Sequence, residues 1–157
     1  YARGREKSRN LTEIYYEIEK LAETDYTKIT LLGQNVNSYG LDFEQEKWKE
    51  QIKELENRVK INLKKTNKRY PTPFAFLLAV IHKIKGIKKI SFLTSNPWDL
   101  TEDILEAMKL PKIEKHLQLH VQSGDDQILK KMNRDYTAEE YLKPAKVSTA
   151  SITRLQD

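Results

Sequence analysis

Apolar residues recur along this chain in two rhythms, and the switches between them outline its elements. Leu11, Ile14, Tyr15, Ile18 and Leu21 fall at helical period behind Asn10, with Glu13 three residues on, which predicts a capped helix from about Leu11 to Ala22. Ile29, Leu31 and Leu32 form a short run ended by Gly33 and read as a strand buried on both faces, as in a parallel-sheet core. Trp48, Ile52, Leu55, Val59 and Leu63 make a narrow stripe on a highly charged segment. Such a stripe buries little area, so it predicts an inserted helix or helical hairpin lying on the surface, with a coiled-coil partner site as the alternative. Pro71 and Pro73 open a helix whose wide apolar face carries Phe74, Leu77, Leu78 and Ile81, and which ends at Gly86.

The second strand is Lys89 to Leu93, and Asp99 with Glu102 has capping-box spacing for a helix through about Lys109, with Ile104, Leu105 and Met108 inward. In HLQLHVQSG, Leu117, Leu119 and Val121 alternate with His116, Gln118, His120 and Gln122, which predicts a third strand with one apolar and one polar face. Asp125 and Asp126 open a further helix with Ile128, Leu129 and Met132 as its stripe, and Thr137 with Glu140 begins another that Pro144 breaks.

Helix, strand and polar turn thus repeat, the pattern of an α/β fold with about three β/α units. Each strand runs into uncharged polar residues: Gln34, Asn35, Asn37, Ser38 and Tyr39; then Thr94 to Asp99; then Ser123 and Gly124. In open α/β sheets and β/α barrels ligands bind at that end of the strands, so these lips are the candidate site. The polar face of the third strand points into the lumen, where a ligand or water must meet it. A complete β/α barrel takes roughly 250 residues, and this chain has 157. Residues 1–142 therefore read as a fragment of one domain with an insertion at about 43–70, followed by an irregular or truncated tail at 143–157.

Composition narrows the setting. Charged residues are 32%, mean hydropathy is -0.73, and no run approaches a membrane span or signal peptide, so the sequence points to the cytoplasm and to no membrane. Net charge is +5 with a pI near 9.2, and much of the excess sits in Arg3 to Arg9 and Lys60 to Arg69. Those runs suit phosphate, and they equally support a non-catalytic basic RNA-binding module or a solvated surface. There is no cysteine, which excludes a disulfide scaffold, a thiol nucleophile and a cysteine-bound metal within these residues. His116 and His120 lie about 13 Å apart along a strand, too far to share an ion. No metal ligand is assigned, and His82 has no assigned role.

YARGREKSR, LLGQNVNSYG, FLTSNP and HVQSGDDQILKKMNRDYTAEEYL together resemble the radical S-adenosylmethionine methylthiotransferases, from Tyr1 to about Leu142 with the charged insertion excepted. QNVNSYG is most similar to the branch that acts on N6-isopentenyladenosine in tRNA, since relatives acting on a ribosomal protein or on threonylcarbamoyladenosine carry different residues after this strand. The resemblance implies a partial TIM-like barrel of the radical S-adenosylmethionine type. It implies an enzyme that uses S-adenosylmethionine radical chemistry to put a methylthio group on C2 of N6-isopentenyladenosine beside the anticodon. The alternatives are a methylthiotransferase for threonylcarbamoyladenosine tRNA or a ribosomal protein. Two 4Fe-4S clusters, an electron donor, tRNA as partner and a monomeric state are implied for the full-length protein. The family's three cluster cysteines are expected before Tyr1, so the fragment alone is expected to be inactive.

The same resemblance assigns Gly33, Gln34 and Asn35 to the methionine part of the cofactor, and Ser95, Gln122, Ser123 and Gly124 to its ribose and adenine side. Arg3, Arg5, Arg9 and Arg134 are candidates for phosphate or carboxylate contacts, with ion pairs to Glu6 or Asp135 as the structural alternative. The family usually reads HLHLPVQSG at the third strand. Here Gln118 replaces the middle histidine and cannot titrate, and His120 replaces the proline.

Overall fold

The computed structural model describes residues 7–59, 72–93, 99–117, 122–134 and 136–142. Asn10 starts the first helix, its Oδ1 accepting the N–H groups of Thr12 (2.8 Å) and Glu13 (3.4 Å), two of the donors every helix start leaves open. Helix α1 (Leu11–Glu23) buries Leu11, Tyr15 and Ile18. The chain turns at Asp25, with φ of 65°, into strand β1 (Lys28–Leu31).

Strand β1 pairs in parallel with β2 (Lys89–Phe92), Lys28 opposite Lys89 and Leu31 opposite Phe92. Pleat alternation sorts the residues. Ile29, Leu31, Ile90 and Phe92 belong to the hydrophobic core, whereas Lys28, Thr30 and Lys89 are exposed and Ser91 is half-buried. The hydroxyls of Thr30 and Ser91 meet across the pair at 2.9 Å. The expected burial of β1 on both faces is thereby corrected: Lys28 and Thr30 on one face are exposed, and Leu32 is 74% exposed.

On its far edge β2 meets a single parallel bridge, Ile90 opposite Ile113, made by Ile90 N–H to the Lys112 carbonyl and Glu114 N–H to the Ile90 carbonyl, both 2.8 Å. Pairing thus occurs before the alternating stretch predicted as the third strand. Residues 118–121 of that stretch, with Gln118 and His120, lie outside the described residues, and the flanking His116, Leu117 and Gln122 are not in a strand.

The helix predicted to lie on the surface is α2 (Gln45–Val59), and it belongs to the core. Trp48, Ile52 and Leu55 join the main cluster, Leu55 at 0% exposure. At about 1.5–3 kcal/mol for each fully buried side chain, this stripe contributes as much as that of an ordinary core helix. Narrowness of the stripe misled because its residues are large: the Trp48 ring stacks on Phe43 at 5.9 Å and meets the edge of Phe76 at 5.5 Å. Leu63 and Lys60 to Arg69 lie outside the described residues.

Helix α3 (Pro73–Ile81) is buried all round from Phe74 to Ile81, with α1, α4 and the 3-10 turn Val36–Ser38 against it. Helix α4 (Glu102–Met108) begins at Thr101, two residues after the predicted cap Asp99. Asp103 ties the starts of both helices, accepting the Thr101 hydroxyl and, at 2.5 Å, the Thr72 N–H. Helix α5 (Asp126–Lys131) is capped as expected by Asp125, but of its predicted stripe only Leu129 is buried; Ile128 is 47% exposed and Met132 is exposed too. Thr137 and Glu140 cap each other reciprocally, Thr137 N–H to Glu140 Oε2 at 2.8 Å and Glu140 N–H to Thr137 Oγ1 at 3.2 Å.

Candidate functional site

Because β1 and β2 are parallel, their carboxyl ends lie at the same end of the sheet. The lips that follow them are also joined. The Ser38 hydroxyl of the first lip donates to Asp99 Oδ2 of the second at 2.5 Å, across 61 residues. Gly40 makes the first lip possible: its φ is +79°, and a Cβ there would fall 2.3 Å from Cβ of Pro73 at the start of α3. Asn37, only 3% exposed, is buried under this turn.

A cavity of ≈ 940 Å³ opens at the lip and runs down the outer edge of β1 as far as Tyr26 and Lys28. Its floor is apolar, from Ile14, Ile18 and Leu21 of α1 and Ile29 and Leu31 of β1. Its polar lining includes Gly33, Gln34, Asn35, Ser38 and Tyr39 after β1, Lys7, Ser8 and Arg9 before α1, and Glu17, Lys28 and Thr30. Burial, and next the nearby charge of Asp42, push the Tyr39 hydroxyl well above the usual phenol range, so it stays a neutral donor. It donates a hydrogen bond to the Arg9 carbonyl at 2.7 Å. Burial works against the charge of Asp42, but hydrogen bonds from the Ser8 hydroxyl and backbone outweigh it and hold the carboxyl below its usual range.

The residues proposed from sequence divide three ways. Gly33, Gln34 and Asn35 line the cavity. Gln122, Ser123 and Gly124 do not line it; Gln122 Oε1 accepts from Arg134 Nη2 at 3.5 Å, and Ser123 Oγ accepts the Asp125 N–H at 3.1 Å. Ser95, Arg3 and Arg5 lie outside the described residues, as do Glu6 and Asp135. Arg9 reaches the cavity, with its guanidinium paired to Glu17 at 2.7 Å. Among the described residues no three His, Asp or Glu side chains are grouped to hold a metal, and none of the 157 residues supplies a thiolate for a cluster.

Sequence reasoning missed Ser8, Asp42 and Gln51, and took Asp99 for a helix cap. Only Asp99 carried a local signal, and its spacing to Glu102 pointed to the wrong partner. An apolar floor under amides, hydroxyls and backbone groups suits a ligand of mixed character, with a flat apolar part and a polar tail.

The family model described as the radical SAM superfamily matches residues 1–148. Among curated relatives, the tRNA-2-methylthio-N(6)-dimethylallyladenosine synthase of Clostridium tetani is 45% identical over 143 residues, covering 90% of this chain and 26% of that protein. The proteins of the same name from Thermoanaerobacter sp. (strain X514) and Caldicellulosiruptor saccharolyticus are 43% and 42% identical, over 90% and 91% of this chain and 25% of each relative. The chain spans about a quarter of the length of these relatives.

Proposed function

Because the chain belongs to the radical SAM superfamily, we propose that it is part of a tRNA methylthiotransferase that seats S-adenosylmethionine in the groove beside β1. The observation carrying this reading is the identity of 42–45% over nine-tenths of the chain to synthases named for their product. That name supplies the substrate class as well: a tRNA adenosine bearing an N6-dimethylallyl group, which gains a methylthio group at C2. The cavity supports the cofactor, since ≈ 940 Å³ is within the roughly 300–1,000 Å³ of small-molecule sites.

In this reading the Gln34 and Asn35 amides and the Gly33 backbone grip the methionine end, and the apolar floor excludes water from the sulfonium. Ser95, Gln122, Ser123 and Gly124 attend the ribose and adenine at the mouth of a partial barrel to which the parallel pair β1 and β2 belongs. Arg3, Arg5, Arg9 and Arg134 face phosphate or carboxylate groups. When bound at a 4Fe-4S cluster, the cofactor supplies the radical chemistry that activates C2. The cluster ligands are not among these residues, so this chain's share is binding, orientation and exclusion of water. Residues 1–142 form the domain portion and 143–157 a tail, in a monomeric cytoplasmic enzyme served by an electron donor.

The test is mass spectrometry of tRNA nucleosides after deleting and restoring the gene. Deletion should abolish the 2-methylthio derivative of N6-isopentenyladenosine and let the unthiolated nucleoside accumulate, and restoration should reverse both. An unchanged isopentenyladenosine pool overturns the reading, and loss of methylthio groups from threonylcarbamoyladenosine or a ribosomal protein instead would reassign the substrate.

A further inference from the structure

The segment Lys7–Asn10 has no place in a helix or strand, yet Tyr39 of the first lip and Asp42 beyond it reach back to it, and Gln51 of α2 holds the Leu11 N–H that follows it. Asp42 accepts the Ser8 N–H at 2.9 Å, the Tyr39 hydroxyl donates to the Arg9 carbonyl at 2.7 Å, and Gln51 Oε1 accepts the Leu11 N–H at 2.7 Å, across 34, 30 and 40 residues. A fourth bond runs from the Gly40 N–H to Ser8 Oγ at 2.8 Å. Gln51 is committed to this task. It is buried on α2, and its other end donates to the Lys47 carbonyl at 3.2 Å. Tyr39 is anchored in turn, its ring edge-on to Phe43 at 5.4 Å, and Phe43 stacks on Trp48 of α2.

We infer that the turn Leu41–Glu44 and helix α2 form a brace that fixes the strap Lys7–Asn10 as one wall of the cofactor groove, with Asp42, Gln51 and Tyr39 as positioning residues. Lys7, Ser8 and Arg9 of the strap line the groove together with Gly33, Gln34 and Asn35, so displacing the strap changes the groove's shape. The bonds from Asp42 and Tyr39 act on backbone groups of the strap, and the Arg9 guanidinium is paired with Glu17. The inference rests on the reading of the groove as the seat of S-adenosylmethionine.

The experiment combines backbone hydrogen exchange with S-adenosylmethionine binding on the intact gene product under anaerobic conditions, in wild type and in Asp42→Ala, Asp42→Asn, Gln51→Leu and Tyr39→Phe. Asp42→Ala and Gln51→Leu should speed exchange at Ser8 and Leu11 respectively by about tenfold, the factor expected for one lost hydrogen bond. The amides of β1 and β2 should keep their protection. Each of these variants, and Tyr39→Phe, should weaken cofactor binding by about three- to tenfold. Asp42→Asn keeps an oxygen acceptor for Ser8 and should bind nearly as wild type. Unchanged exchange at Ser8 and Leu11, or faster exchange with unaltered cofactor affinity, overturns the brace. Should Gln51→Leu not fold, Asp42→Ala and Tyr39→Phe carry the same decision. Wild-type protein that binds no S-adenosylmethionine sinks the cofactor reading separately, while the exchange measurements still decide whether the brace holds the strap.

Discussion

Asp103 holds two helix starts at once, and that makes it a reporter for acid stability. Burial opposes its charge, but bonds from the Thr101 hydroxyl and from Thr72 outweigh burial and keep its carboxyl below the usual range. A depressed folded-state pKa means that the unfolded chain takes up the proton first as pH falls. The stabilisation is therefore complete above the unfolded value of about 3.9 and is lost as pH falls through the lower folded value. Thermal melts of wild type and Asp103→Asn from neutral to acid pH should show a shallower acid decline in the variant. His82 acts in another window. Burial first, then Lys112, Lys83 and Lys115, lower its pKa, so its contribution is full above the unfolded value of about 6.5 and declines as pH drops below it. Gly40 permits a simpler test: Gly40→Ala combines a positive φ with a contact that backbone must relieve, and should cost more than about 1 kcal/mol by chemical denaturation. Of these residues, only Gly40 stood out in the sequence, as the end of a polar turn. The partners of Asp103, Asp42 and Gln51 are distant in the chain or out of helical register, and no spacing rule reaches them.

At the scale of elements, helix period was a sound guide to where helices run and a weaker one to what they bury. Helix α1 follows its prediction closely because one apolar stripe, one cap and one neighbouring strand agree. Helices α2 and α5 invert their expected weights. Leu55→Ala on α2 should cost about 2–5 kcal/mol, as for a core leucine, whereas Ile128→Ala on α5 should stay within about 0.5 kcal/mol. Denaturation midpoints of the two variants at unchanged m-value decide this, and equal losses would return α2 to the surface. The reason lies in packing partners. Trp48 of α2 finds Phe43 and Phe76, while the Ile128 and Met132 side of α5 stays exposed.

For the whole molecule, the alternation of helix, strand and polar turn identified an α/β arrangement with parallel strands, and the β1–β2 register agrees. The same sheet leaves one edge of β1 without a paired strand among the described residues, and Tyr26, Leu32 and Leu41 are exposed. Unpaired edges and contiguous apolar surface promote association. The 157-residue chain produced alone should therefore associate as its concentration rises in sedimentation velocity runs and should bind a hydrophobic dye. A monodisperse chain that binds no dye would contradict this.

What the sequence determined by itself is local in cause: helix starts at Asn10 and Asp125, two strands, a glycine-ended lip rich in amides, and motifs close enough to known proteins to name a superfamily. Periodicity, capping and turn chemistry act within a few residues, so they can be read in order along the chain. Tertiary structure alone decided that α2 is core, that β1 has one open face, that Ser38 meets Asp99, and that Asp42, Tyr39 and Gln51 converge on the strap. Those outcomes depend on which groups from distant segments are brought out of water together, and hydrogen-bond partners 30 to 61 residues apart exist only once the helices have packed.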